Sequence, residues 1–379
     1  MTREAHPTAE SAVPFFDLAP SHEDLADGIV EEFGRLIRTG AFINGPQVRE
    51  FEDAFAGWCG TSACIGMASG LDALRIGLLA LGIGRGDEVV APANTFAATL
   101  EAITQVGATP VLVDATFTDY NVDVDAVAAA ITSRTAALLP VHLYGQMADM
   151  TRLRALADKH GLAVLEDACQ AHGATRDGFL AGAAGDAAAF SFYPAKNLGA
   201  FGDAGALVTD RVEVAETARA LREHGQRAKY LHELQGYTAR LDTIQAIALA
   251  HKLPWLDDWN TERRELAVFY RGALAGIEGL IVPPVAPGSE PVWHLFVVRV
   301  AEPDRLAETL REDGIGTGRH YPYPIHLMPA FEFLGYRRGE FPVTEAVADQ
   351  CLSLPLFPGM SREQAERVVD ALHRHVGRG

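Results

Sequence analysis

Positive charge is scarce in this chain, and lysine is scarcer still. Lys and Arg together number 32 against 50 Asp and Glu, a formal net charge of −18 over 379 residues. A surplus of that sign argues against nonspecific nucleic-acid binding and against an anionic membrane surface. It leaves room for an anionic small substrate, which needs only a local basic pocket. Cysteine is sparse as well. Cys59, Cys64, Cys169 and Cys351 have no CxxC spacing and no histidine cluster beside them. No metal is therefore expected, and the four read as reduced thiols of a cytoplasmic protein. No apolar run reaches the roughly 18 residues of a membrane span. The segment MTREAHPTAESAV at the N-terminus is polar and contains acids, unlike a secretory signal. Internal repeats and low-complexity linkers are also missing.

Only four basic residues are lysine: Lys159, Lys196, Lys229 and Lys252. Lys196 stands in SFYPAKNLGAFGDAG (191–205), just after the apolar run AAAFSF. Arginine cannot lose its proton, whereas a desolvated lysine can. The neutral amine is then a nucleophile able to form a Schiff base. A genome that favours arginine also leaves a few lysines by chance, so the weight falls on the surroundings.

Apolar residues make up 48% of the chain, enough at this length for one large domain and a smaller one. From about residue 60 to 210, short β-rich runs alternate with helical patterns. The runs are 63–68, 87–92, 109–114, 136–141, 162–167, 187–192 and 204–209. Leu71, Leu74, Leu78, Leu79 and Leu81 share a helical face. Such alternation predicts an α/β fold with a mostly parallel, seven-stranded, doubly wound sheet. Only a loop separates the last two strands, which allows one antiparallel pair. Beyond Asp210 the pattern is mostly helical. A loop (283–291), a strand (292–300), a helix from Pro303, a Pro-rich turn RHYPYPIHLMP and a closing helix capped by Ser361 with Glu363 nearby follow. Residues 1–261 are expected to form the large domain and 262–379 a smaller α+β domain.

Ligands of such sheets bind beyond the carboxyl ends of the strands. The first strand ends at Ser69 and Gly70 and opens into a helix, an anion site by its free N–H groups and dipole, or a plain serine cap. Phe96 follows the second strand, against a planar ligand or in the core. Asp167 ends the fifth, where a carboxylate needs a partner: a protonated ring nitrogen or an arginine. Gln170 and His172 follow on the same turn, and the sixth strand delivers Ser191 and then Lys196. Together these residue types fit a pyridine aldehyde phosphate: acid to ring nitrogen, lysine to aldehyde, helix and serine to phosphate, Phe96 against the ring.

The motifs SGLDAL, GDEVVAPANTFAAT, PVHLYGQMADM, EDACQAHGA, SFYPAKNLGAFGDAGALVT and RLDTIQA occur in that order. In them the chain resembles the nucleotide-sugar aminotransferases of the DegT/StrS type, fold-type I enzymes dependent on pyridoxal 5′-phosphate (PLP), over nearly its whole length. The resemblance implies that Lys196 binds the cofactor aldehyde, Asp167 pairs with the pyridine nitrogen and Gln170 contacts the phenolic oxygen. Phe96 would stack on the ring, and Ser69, Gly70, Leu71 and Ser191 would hold the phosphate. It implies a homodimer with shared sites, completed by the stretch before RLDTIQA. There the family pattern GYNSRLD reads GYTARLD, so Thr238 replaces an asparagine expected at the phosphate. Ala195 replaces a commoner glycine.

The implied reaction moves an amine from an amino acid, L-glutamate, to a nucleotide-linked (dTDP) ketosugar in deoxyaminosugar and antibiotic biosynthesis. SGLDAL, EDACQAHGA and HYPYPIH resemble the branch acting on 3-keto-6-deoxyhexoses; a 4-keto substrate is the alternative. His320, Tyr321 and His326 are candidate sugar or diphosphate contacts, or parts of a structural proline turn. Lys229 and Arg319 face the diphosphate or are solvated charges. The related dehydratases carry histidine where Lys196 stands. A non-catalytic PLP-binding regulator on the same scaffold is an alternative of another class.

Overall fold

The computed structural model describes residues 12–376; most of the polar N-terminal segment read above lies outside the described residues. All seven expected strands are present. They are β1 (Ala63–Met67), β2 (Glu88–Pro92), β3 (Thr109–Val113), β4 (Thr135–Leu138), β5 (Ala163–Asp167), β6 (Ala187–Ser191) and β7 (Gly205–Thr209). They form one sheet in the order β1-β7-β6-β5-β4-β2-β3. Six strands run parallel and β7 runs against both of its neighbours. The reversal follows from connectivity: no helix separates β6 from β7, so the chain cannot cross back to start a parallel strand.

Successive side chains of a strand point to opposite faces, and both faces are buried. Val164, Ala188 and Phe190 pack with Phe51, Phe55 and Leu249 on one side. Leu165, Ala187 and Ala189 pack with Leu74, Ile76 and Leu78 on the other. This is why the strands read as near-continuous apolar runs. The helix Gly70–Ala80 starts at Ser69, whose hydroxyl oxygen accepts a hydrogen bond from Asp72 N at 3.1 Å. Leu74 and Leu78, four residues apart, are fully buried.

The C-terminal part holds a three-stranded antiparallel sheet of β8 (Leu280–Ile281), β9 (Phe296–Val300) and β10 (Cys351–Leu354). The helix Leu256–Ala273 runs unbroken through residue 262. Leu256 packs in the core of the large sheet, while Ala267 and Tyr270 pack with β9, β10 and the closing helix. That closing helix, Arg362–His375, is capped by Ser361 as expected, but its capping box closes with Gln364, not Glu363. The strand expected over 292–300 begins only at Phe296. Before it, Val292 N and Leu295 N donate to Gly145 O and Tyr144 O at 2.9 and 3.3 Å, which carries residues 292–295 across the mouth of the large sheet.

Candidate active site

A cavity of about 540 Å³ opens at the carboxyl ends of β1, β5 and β6. Ten of the expected site residues line it: Ser69, Gly70, Leu71, Phe96, Asp167, Gln170, Ser191, Lys196, His320 and Tyr321. At the end of β1 the turn into the helix is pressed against its neighbours. A Cβ on Gly70 would meet Ser191 Cβ at 2.7 Å and Cys169 Sγ at 2.9 Å. A Cβ on Gly205 would meet Ser69 C and O at 2.4 Å. Glycine at both positions lets β6, β7 and the helix N-terminus approach this closely. Asp72 pairs with Arg75, and so its charge is matched within the helix. The Ser69 hydroxyl caps the helix as an acceptor and keeps its own proton to donate.

Asp167 is 6% exposed. Its Oδ2 accepts from Thr99 Oγ1 at 2.9 Å and its Oδ1 from Cys169 N at 3.3 Å. Among the described residues no cation lies within ion-pair distance of it. The strand end that carries it is pinned from behind by Glu166, which is fully buried. Glu166 accepts from Gly182 N (3.1 Å), Ala184 N (2.9 Å) and Gly185 N (2.7 Å), and bonds His142 Nε2 at 2.7 Å. His142 Nδ1 accepts from Ala148 N, so the ring donates from Nε2 and the carboxylate is saturated.

Lys196 sits in the loop between β6 and β7, where its backbone N–H donates to Tyr193 O at 2.8 Å. Its ammonium has no hydrogen-bond or ion-pair partner among the described residues. Burial pushes its pKa below the ordinary lysine value, opposed by Cys169 and Asp167. Gln170 is held between two partners: its Oε1 accepts from Tyr144 N at 2.7 Å, and its Nε2 donates to Tyr321 Oη at 3.1 Å. Phe96 is 53% exposed on the cavity rim, its ring 5.3 Å from that of Tyr321; it is not a core residue. His320 bonds Ser353 Oγ through Nδ1 at 2.8 Å and stacks on Phe15 at 5.6 Å. Burial, then Lys196, brings its pKa down to about 4.

Four expected contacts lie outside the cavity. His326 is 2% exposed and bonds Glu345 through Nε2 at 3.1 Å; it holds the Pro-rich turn. Arg319 pairs with Asp304 and donates to Ala348 O at 2.7 Å, so its charge is used within the C-terminal part. Thr238 is exposed, 3.2 Å from His224 Nε2. Lys229 is exposed, its ammonium 5.2 Å from the ring centre of Tyr230. The cavity also takes residues that the strand-end argument missed: Thr95, Cys169, Tyr193, Arg263 and His294, with Thr99 just behind. Thr99 lies three residues after Phe96 on the helix Ala97–Gln105, a spacing that brings it under the strand ends. Arg263 and His294 arrive from the C-terminal half, where sequence periodicity carries no information about the cavity. The Cys169 thiol is pushed up by burial and stays protonated.

The residues present fit PLP. An unpartnered lysine, a buried acid without a cation, and a small-residue helix N-terminus beside two serines match the aldehyde, ring nitrogen and phosphate of one molecule. Residues 23–373 match the DegT/DnrJ/EryC1/StrS aminotransferase family. The chain is 47% identical over 366 residues to dTDP-3-amino-3,4,6-trideoxy-alpha-D-glucose transaminase of Streptomyces venezuelae, covering 97% of each chain. It is 47% identical over 360 residues to the erythromycin biosynthesis sensory transduction protein EryC1 of Saccharopolyspora erythraea, covering 95% of this chain and 98% of the relative. The crystal structure of S. venezuelae DesV in complex with a ketimine intermediate superposes with a TM-score of 0.95 at 47% identity, over 97% of this chain and 99% of that one. The fold and cavity are those of a PLP-dependent transaminase. The chain belongs to the DegT/DnrJ/EryC1/StrS aminotransferase family.

Proposed function

We propose that the protein transfers an amine from L-glutamate to the C-3 carbonyl of a dTDP-linked 3-keto-6-deoxyhexose, with Lys196 and Asp167 as catalytic residues. The observation that carries the reading is the unpartnered amine of Lys196 sharing a buried cavity with a carboxylate that has no cation of its own. The regiochemistry rests on the relatives. Besides the S. venezuelae protein, a relative 44% identical over 365 residues is a dTDP-3-amino-3,6-dideoxy-alpha-D-galactopyranose transaminase of Aneurinibacillus thermoaerophilus.

When bound, PLP supplies an electron-accepting ring that takes up the charge left at the substrate Cα. Ser69, Gly70, Leu71 and Ser191 would hold its phosphate, Phe96 would pack against its ring, and Gln170 would meet its phenolic oxygen. The Asp167 carboxylate, fixed by Thr99 and Cys169 N, would accept a hydrogen bond from the ring N–H and so keep that nitrogen protonated. Lys196 carries the proton at Nζ to and from the substrate Cα. Its lowered pKa makes it a better base at neutral pH than an ordinary lysine. His320 and Tyr321, beside Phe96 at the cavity wall, contact the sugar. The protein works as a cytoplasmic homodimer in which Lys229 and Thr238, exposed on one subunit, reach the site of the other. Exposed Val30 (67%), Ile37 (70%) and Tyr230 (80%) are apolar surface that such an interface covers.

Adding glutamate alone to the PLP-loaded protein tests the reading. Loss of the aldehyde form's visible absorbance with release of 2-oxoglutarate is the expected result. A protein that binds PLP but leaves glutamate untouched would instead be a regulator on this scaffold.

A further inference from the structure

Arg263 is 6% exposed, on the helix Leu256–Ala273, and lines the same cavity as Lys196. Its Nη1 donates to Trp293 O at 3.3 Å and Leu356 O at 2.9 Å. Both acceptors are neutral. Its Nε has no partner, and its Nη2 makes no hydrogen bond among the described residues. No carboxylate lies within ion-pair distance of it among those residues. The nearest acid in sequence, Glu262, accepts from Gly359 N at 2.7 Å instead. A buried guanidinium without an anion is costly, and burial brings its pKa down to about 10.

The surroundings are basic. A second cavity of about 30 Å³ shares Phe16, Ala195, Lys196 and Arg263 with the first, and Lys252 lines it too. Lys252 is 2% exposed and, among the described residues, donates only to Gly199 O, at 2.7 Å. His294, also in the main cavity, has an unpartnered Nδ1. Asp17 also lines the smaller cavity, but among the described residues no carboxylate forms an ion pair with Arg263 or Lys252. Both cations are therefore open to an anion from outside.

We propose that Arg263 binds a carboxylate of the amino-acid donor, an inference that rests on the aminotransferase reading above. The α-carboxylate of any amino acid lies one carbon from the reacting amine. A cation lining the same cavity as Lys196 is available to that group, and a planar fork of N–H donors suits a carboxylate. A nucleotide diphosphate is too bulky for so buried a position, and the cofactor phosphate is accounted for at Ser69–Gly70. The aminated sugar has no carboxylate, so Arg263 serves one half of the reaction and not the other.

The test uses the PLP-loaded protein with Arg263→Met and Arg263→Lys. Two readouts are taken: calorimetric binding of glutarate, an unreactive dicarboxylate, and the KM of each half-reaction separately. Arg263→Met should weaken glutarate binding and raise the KM for glutamate by about 10–100-fold, the size expected for losing hydrogen bonds to a charged group. The reverse half-reaction with aminated sugar nucleotide should stay within about 3-fold, because that substrate offers Arg263 no charged partner. Arg263→Lys keeps the charge but not the fork and should lie between wild type and Arg263→Met. If Arg263→Met does not fold, because Trp293 O and Leu356 O lose their donor, Arg263→Lys carries the test with the same readouts. Unchanged glutarate binding in a folded variant overturns the assignment, as does an equal loss in both half-reactions. If the wild type binds glutarate through Arg263 yet converts no amino acid, the aminotransferase reading fails and the carboxylate site stands.

Discussion

A buried amine with no carboxylate against it titrates lower than one in water, because burial penalises the charged form. Lys196 is in that position, and its chemistry depends on losing a proton. Lys196→Arg keeps the charge but supplies no neutral amine. It should lower turnover by at least about 10²–10⁴-fold, the usual weight of a positioned acid–base group. Borohydride reduction of the wild-type holoprotein should fix the cofactor on the peptide containing Lys196. Label on Lys229 would refute the assignment. Asp167→Asn should still bind PLP but lose about 10²–10³-fold in rate, since an amide stabilises a developing charge far less than a carboxylate does. A near-normal rate would remove Asp167 from the mechanism. His172 gives a separate test on stability. It is fully buried against Phe190 and Phe192, both ring nitrogens lack partners among the described residues, and burial, followed by Lys196, brings its pKa down to about 3. The unfolded chain takes up this proton near pH 6.5 and the folded chain does not. Stability is therefore full above that pH and falls as the pH drops toward 3, by about 2 kcal/mol at pH 5. Stabilities from urea unfolding at pH 7 and pH 5 should differ by at least that much, and His172→Phe should reduce the difference, with the lowered His320 keeping its own share.

At the scale of elements, the site depends on how closely two turns approach. Gly205 opens β7 directly against the Ser69–Gly70 turn, with no room for a methyl group. Gly205→Ala should displace that turn, lower stability by about 1–3 kcal/mol through overpacking, and weaken PLP retention more than substitution of a surface glycine. Thermal melts and cofactor titration of the same variant check both. The strand ends were legible because a fully buried strand announces itself as an apolar run, and the first polar residue after it marks the mouth of the sheet. Ser69, Asp167 and Ser191 were found in that way. The antiparallel pairing of β6 and β7 could be read from the missing helix. The pairing of β1 with β7 could not, because strand order depends on contacts far apart in sequence, such as Ala63 with Thr209, 146 residues apart. Arg263 and His294 escaped for a related reason: tertiary packing of the C-terminal part brings them to the cavity. His326 and Arg319 sit in a turn whose composition suggested substrate contact, but Glu345 and Asp304 answer their polar groups within the chain.

For the whole molecule, the proposed function includes a second copy that completes the site. Among the described residues the Thr238 hydroxyl bonds only His224, and the segment Lys229–Leu234 is exposed throughout. If Thr238 reaches a partner's cofactor phosphate, Thr238→Val should weaken PLP retention by about tenfold, the value of one hydrogen bond. Mixing a Lys196→Ala subunit with one inactivated in this segment should restore part of the activity. Full activity in a dilute monomer would show that each chain builds its site alone. The central claim, amine transfer to C-3 of a dTDP-linked deoxysugar, is tested most directly by product analysis. The holoprotein is incubated with L-glutamate and, in parallel, dTDP-linked 3-keto- and 4-keto-6-deoxyhexoses, and the position of the new amine is read by NMR. The account predicts rapid formation of a 3-amino sugar from the 3-keto substrate and little or no product from the 4-keto one. Preferential formation of a 4-amino sugar, or no amine transfer to either, would contradict it.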